Sequence, residues 1–154
     1  MSTAPALPAT MRAVVMRAPG DVVVEDVEVP RVVHPTDVVL KIEAACVCGS
    51  DLWPYRGLQP VKNQRMGHEY VGTVVEVGEA VTTVKPGDFI VGSFCISCGE
   101  CEICTAGYPS RCLKASAAGD AFIGMRSNGT QAEYARVPFA DGTLVKTPAY
   151  PTAE

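Results

Sequence analysis

Only two histidines and one tryptophan occur in 154 residues, aromatics make up 6%, and charged side chains 19%. Each shortage narrows the function. With 13 basic against 17 acidic side chains and no basic stripe interleaved with aromatics, nucleic-acid binding is not expected. No apolar run approaches the ~20 residues that a membrane helix needs, so no membrane role is expected either. The N-terminus has no charged-then-apolar leader pattern, which points to a reducing, cytoplasmic setting in which seven cysteines are poor candidates for disulfides. No internal repeat occurs. No helical periodicity lasts more than a few turns, and no Gly-x-Gly-x-x-Gly fingerprint opens a βαβ unit, so a dinucleotide-binding fold is not expected within these residues. One core and one domain are expected at this length.

What is present is valine-rich alternation punctuated by glycine and proline. Residues 1–10, built from Ala, Pro, Thr and Ser, are expected to form a disordered tail, with the fold spanning residues 11–150. Met11-Arg12-Ala13-Val14-Val15-Met16 and Asp21 to Val27 read as strands around the turn Ala18-Pro19-Gly20. Val38 to Ala45 resumes as a strand after the His34-Pro35-Thr36-Asp37 turn, which leaves His34 as a solvated loop histidine. Tyr70 to Val77 alternates, with Val71, Thr73, Val75 and Val77 on one face and Tyr70, Gly72, Val74 and Glu76 on the other. Phe89-Ile90-Val91 follows the turn Lys85-Pro86-Gly87-Asp88. Phe122-Ile123-Gly124, Ala132 to Val137 and Leu144-Val145-Lys146 add further strands, while Ser116 to Gly119 reads as loop. Such a pattern predicts a mainly β fold, a compact barrel or sandwich with short helices.

The chemistry sits at strand ends. His68 stands at the mouth of the Tyr70 strand, where an imidazole can bind zinc through one nitrogen while a neighbour such as Glu69 holds the other. Cys46-Val47-Cys48-Gly49-Ser50-Asp51 closes the Val38 strand: Gly49 allows close approach of a bound group, Ser50 offers a hydroxyl able to pass a proton, and Asp51 can orient a ligand or base. The competing reading makes Cys46 and Cys48 small buried hydrophobes and Ser50 and Asp51 turn caps, and for Cys46 that reading is preferred.

Five of the seven cysteines fall between positions 95 and 112. Two-residue gaps separate Cys98, Cys101 and Cys104, and a loop with Gly107 and Pro109 returns to Cys112, a spacing suited to four thiolates closing around one zinc. With no position left for substrate, such a site is structural. Two rivals use Cys95 in place of Cys112, either as a zinc set or as an iron-sulfur sequence, although the last gap of two residues followed by Thr105 departs from the ferredoxin pattern.

Taken together, Cys48-Gly49-Ser50-Asp51, Gly67-His68-Glu69 with Gly72 and Gly78, Lys85-Pro86-Gly87-Asp88 and the cysteine loop resemble the zinc-containing medium-chain alcohol dehydrogenases, from Met11 to about Lys146. The resemblance implies the N-terminal catalytic domain of that family, a GroES-like partly open β barrel with a zinc-binding cysteine loop. It implies a catalytic zinc on Cys48 and His68 with Glu69 beside it, a structural zinc on Cys98, Cys101, Cys104 and Cys112, and Ser50 as the start of a proton relay. Trp53 stands where many members have a relay histidine, and is expected to shape the substrate pocket instead. The implied reaction transfers a hydride between a small-molecule alcohol, aldehyde or ketone and NAD or NADP. The cofactor domain and the remaining ligand of the catalytic zinc would follow Glu154, so the chain is expected to be an incomplete enzyme, inactive alone, with NAD or NADP used only if a cofactor domain is supplied. A possible homo-oligomer through the face that such a domain would cover, a non-catalytic zinc-stabilised binding module and an iron-sulfur carrier are the other expectations.

Overall fold

The computed structural model describes residues 6–119, 121–124 and 129–147. Among these, eight strands and four short helices occur. In chain order they are β1 (Thr10–Ala18), β2 (Asp21–Glu28), β3 (Val38–Ala45), α1 (Leu52–Tyr55), β4 (Gln64–Arg65), β5 (Tyr70–Val77), β6 (Phe89–Gly92), α2 (Glu102–Thr105), α3 (Leu113–Ala117), β7 (Tyr134–Val137), α4 (Ala140–Thr143) and β8 (Leu144–Lys146). Single 3-10 turns at Gly49–Asp51 and Pro109–Arg111 lead into α1 and α3.

Every strand pairing is antiparallel, in a three-stranded sheet β2-β1-β4 and a five-stranded sheet β7-β3-β5-β6-β8. Residues 131–133 stitch the sheets together: the Val14 amide donates to Gln131 O at 2.9 Å, and Ile42 N to Glu133 O at 2.9 Å. The sheets remain unclosed, giving the mainly β, GroES-like arrangement. Strands β3 and β5 have both bounds where the sequence placed them. Strand β1 starts at Thr10, inside the stretch expected to be tail, and Ala9 O accepts a bond from Val29 N at 3.1 Å.

The core collects Val38, Leu40, Tyr70, Val74, Ile90, Ile96, Ile123, Val137 and Leu144, and it includes Cys112 and Ala115 at the base of the cysteine loop. In β5 the buried face is Tyr70, Gly72 and Val74, while the valine-rich face is half-exposed. The pairing is irregular here: β5 carries an extra residue, Val75, between the partners of Val39 and Leu40, β3 carries an extra residue, Glu43, between Ile42 and Ala44, and Val38, Val39 and Leu40 are all buried. Buried Asp37 anchors the start of β3, accepting from the His34 and Val33 amides and pairing with Arg136 at 2.6 Å. His34 itself is exposed in the preceding bend.

Two local expectations need correction. Ser116 and Ala117 belong to helix α3, because Cys112 caps that helix by accepting the Ala115 amide on its sulfur at 3.4 Å. Phe122 makes only an isolated bridge to Cys95 instead of opening a strand.

Candidate metal centres

The cysteine loop folds around its own sulfurs. The Cys98 amide donates to Cys112 Sγ at 3.3 Å and the Cys101 amide to Cys98 Sγ at 3.4 Å. Cys101 stands at the N-cap position of α2, and the loop returns through Gly107 and the 3-10 turn to Cys112, which is buried. Cys98, Cys101, Cys104 and Cys112 thereby bring their sulfurs within 4.8 Å of one another. Cys95 lies outside this set, its backbone bridged to Phe122 and its amide donating to Ser93 Oγ. Helix α4 supports the loop from behind: a Cβ on Gly142 would come within 2.3 Å of Ser97 O and 2.5 Å of Gly99 N. Thr143 Oγ1 accepts from the Ser97 amide at 3.1 Å.

The electrostatics of this cluster suit a cation. Amides of Cys104 and Leu113 hold the Cys101 thiol down at about 6. Burial pushes Cys112 up, but the Ala115 and Cys98 amides outweigh it and leave that thiol below its ordinary range. Burial pushes Cys104 up to about 12, and the adjoining Cys101 and Cys112 sulfurs add to the effect. Four thiolates this close cannot all be charged without a positive partner. A Zn–S length of ~2.3 Å gives a tetrahedral edge of about 3.8 Å, so the four sulfurs need little closing to fit zinc.

The second cluster is built differently. Cys48 follows the end of β3 and His68 precedes β5, which pairs with β3, and the Cys46 amide donates to Glu69 O at 3.1 Å across that gap. Ligand atoms of Cys48, His68 and Glu69 lie within 4.8 Å of one another, with Cys48 and His68 half-buried and Glu69 exposed. Gly67 makes this approach possible. Its φ is 101°, and a Cβ there would sit 2.4 Å from Gln131 N.

Asp51 organises the corner. Its Oδ2 accepts from the Cys48 amide at 3.0 Å and from Gln131 Nε2 at 3.3 Å, while Oδ1 lies 3.6 Å from His68 Nδ1. The carboxylate facing the imidazole is thus Asp51; Glu69, expected beside the zinc and as a candidate to hold the second ring nitrogen, has its carboxylate within 4.8 Å of the Cys48 and His68 candidate atoms. A carboxylate near Nδ1 favours the tautomer protonated there, which leaves the Nε2 lone pair free to accept. Ser50 Oγ lies 3.1 Å from that Nε2. Cys46 is exposed and outside the ligand set.

His68 borders two cavities. One, of about 360 Å³, is lined by Ser50, Asp51, Trp53, Met66, Phe94 and Phe122 among others; the second, of about 270 Å³, lies toward Cys46 and Glu69. Phe94 meets the His68 ring edge-on at 5.1 Å and stacks on Phe122 at 4.7 Å. Trp53, expected to shape a pocket, lines the larger cavity. Gln131, Phe94 and Phe122 were missed by sequence reasoning: Gln131 comes from a segment far along the chain, and the two phenylalanines carry no motif of their own.

A family model for the alcohol dehydrogenase GroES-like domain matches residues 34–149. A medium chain reductase/dehydrogenase of Acremonium sp is 45% identical over 92% of this chain and 48% of its own length. Zinc-type alcohol dehydrogenase B of Aspergillus flavus is 44% identical over 90% of the chain and 32% of its own length. Among solved structures, the alcohol dehydrogenase TADH from Thermus sp. ATN1 superposes with a TM-score of 0.81 at 38% identity, over 90% of this chain and 40% of that one. A zinc-binding dehydrogenase of Sinorhizobium meliloti 1021, solved with NADP, gives 0.73 at 34% identity, over 92% of this chain and 39% of that one. The chain therefore spans a third to a half of the length of these relatives.

Proposed function

The chain belongs to the family of alcohol dehydrogenase GroES-like domains, and from that premise we propose that residues 11–150 form the zinc-binding catalytic portion of an NAD(P)-dependent oxidoreductase acting on a small alcohol, aldehyde or ketone. The observation that carries this reading is the convergence of Cys48, His68 and Glu69 beside a cavity bordered by Ser50. A zinc ion held by those three residues would supply Lewis-acid polarisation of the substrate oxygen. Asp51 orients the imidazole and, through the Cys48 amide, the turn that presents the thiol. Ser50 Oγ is the group placed to accept the proton that an alcohol gives up on oxidation. Trp53, Phe94 and Phe122 give the cavity beside the reacting position its apolar surface. Cys98, Cys101, Cys104 and Cys112 would hold a second zinc with every position filled by sulfur, a structural role.

No nicotinamide-binding fingerprint lies within these residues, so turnover requires a dinucleotide-binding domain in addition. The test is metal analysis of protein prepared under reducing conditions, followed by assay with NAD or NADP and a panel of alcohols. Two zinc ions per chain, one lost in Cys48→Ser, with no turnover by the chain alone, is the expected result. One zinc with Cys48 freely alkylated supports a non-catalytic binding module instead, and steady turnover without a partner overturns the requirement for a second domain.

A further inference from the structure

Away from both cysteine clusters, the segment after β2 leaves an open cavity of about 460 Å³ between itself, β4 and β7. Three arginines line it, Arg31, Arg65 and Arg136, with a single acid, Glu28, on the lining. The three differ in how their charge is met. Arg136 is neutralised by buried Asp37 at 2.6 Å. Arg31 reaches Glu76 at 4.0 Å and spends its remaining donors weakly on Leu7 O and Pro8 O at 3.3 and 3.5 Å.

Arg65 has no carboxylate within ion-pair reach among the described residues. Among those residues its Nη2 donates only to the Gly129 and Tyr134 carbonyls, both at 3.5 Å, and its Nε is buried with no acceptor. Burial pushes the guanidinium down, yet it stays protonated at physiological pH. A half-buried cation left with two long bonds to carbonyls is costly, and a counter-ion from outside would offset that cost. Lysine would carry the charge as a point; arginine adds a planar fork matched to two oxygens of one anion.

We infer that this cavity is a binding site for a small oxyanion, a phosphate or carboxylate group, with Arg65 as its principal donor and Arg31 closing over it from the rim. The volume accommodates the anion with an attached organic group. Arg65 also borders the larger cavity beside His68, but none of the proposed zinc ligands lines this one, so zinc content and anion binding can be read separately.

The experiment titrates the 154-residue chain with inorganic phosphate, and separately with acetate, against chloride at matched ionic strength. Thermal unfolding and the arginine Nε–H signals in nitrogen-15 NMR are followed together. A saturable rise in Tm at millimolar phosphate or acetate is expected, with the Arg65 signal shifting along the same isotherm; whichever anion does this identifies the headgroup. Arg65→Met should weaken binding about tenfold or more while the anion-free protein unfolds at the same temperature or higher, since an uncompensated cation has been removed. Arg12→Gln, an exposed arginine paired with Glu133, should leave the isotherm unchanged. Equal effects of all three anions, or saturable binding that survives in Arg65→Met, overturn the proposal.

Discussion

The two cysteine-bearing clusters use the same scaffold in opposite ways. In the loop from Cys98 to Cys112 all donors are sulfur, two of the four thiols are held down by backbone amides, and Cys112 is part of the hydrophobic core. At Cys48, His68 and Glu69 the donors are sulfur, nitrogen and oxygen, the carboxylate is exposed, and cavities open on either side of the imidazole. The ligands of the first all come from fifteen consecutive residues, with α4 packed behind them. The second depends on strands β3 and β5 being in register and on Asp51 and Gln131 meeting between them. A sealed set assembled locally is suited to stability, and an open set assembled by the whole sheet is suited to reaction.

The largest effect should come from breaking the sealed set. Cys112→Ser removes a donor and the sulfur that caps α3 and receives the Cys98 amide. A loss on the order of 4 kcal/mol is expected, with one zinc per chain lost and Tm lower by roughly 10 °C. Circular dichroism and metal analysis of the same sample check both. If unfolding is unmoved, the loop does not depend on its metal and the contrast between the clusters disappears. Cys48→Ser should lose a zinc as well, yet shift Tm by only about 2 °C.

Next in size is the glycine beneath each cluster. Gly67→Ala forces a Cβ onto the Gln131 amide at a positive φ, and Gly142→Ala forces one onto Ser97 O and Gly99 N. Each should cost about 2–3 kcal/mol. Their metal losses should be opposite: the first variant keeps the sulfur-bound zinc and loses the other, and the second does the reverse. Chelator release monitored for each site separates the outcomes, and loss of the same zinc in both variants would mean that the clusters are mechanically coupled.

Asp51→Asn sharpens the contrast further. It preserves shape but weakens the partner of His68 Nδ1 and the acceptor for the Cys48 amide. Zinc affinity at the open set should fall about 10- to 100-fold, with the sulfur set unaffected, as measured by competition with a chromogenic chelator.

How far each cluster could be read from the chain follows from the same difference. The cysteine spacing pointed to the sealed set directly, because Cys98, Cys101, Cys104 and Cys112 are near neighbours in the chain, and their sulfurs do lie within 4.8 Å of one another. The open set was legible only as separate pieces, Cys48 with Ser50 and His68 with Glu69. Asp51 was recognisable as an orienting acid, but that it serves His68 where Glu69 was expected to do so is decided by β3 to β5 pairing. Gln131 left no signal, since a single glutamine ahead of β7 looks like any surface residue until residues 131–133 bridge the two sheets. The buried face of β5 was also hidden: alternation identifies two faces but cannot say which one the irregular β3–β5 pairing leaves facing the core.

The smallest expected effect tests how the sealed set is supported from outside. Asp141, on α4 beside Gly142, clamps the turn after β5. Burial pushes its carboxyl up, but bonds from the hydroxyls of Thr82 and Thr83, 2.7 Å each, and from their amides outweigh this and hold it below the ordinary 3.8. A carboxyl with a depressed folded-state value stabilises the fold above its unfolded value, and that contribution is lost as pH falls through the folded one. Wild-type protein should therefore lose part of its stability as pH drops below about 4, and Asp141→Asn should lack that part of the dependence. At neutral pH the variant should be less stable by about 1 kcal/mol, because the side chain is largely exposed and water replaces some of its bonds. Urea unfolding at pH 7 and at pH 3.5 provides the comparison, with the difference between the two proteins expected to narrow at the lower pH. Parallel curves across that range would mean that α4 is held by Gly142 and Thr143 packing alone, and that the sealed cluster owes nothing to charge outside its own sulfurs.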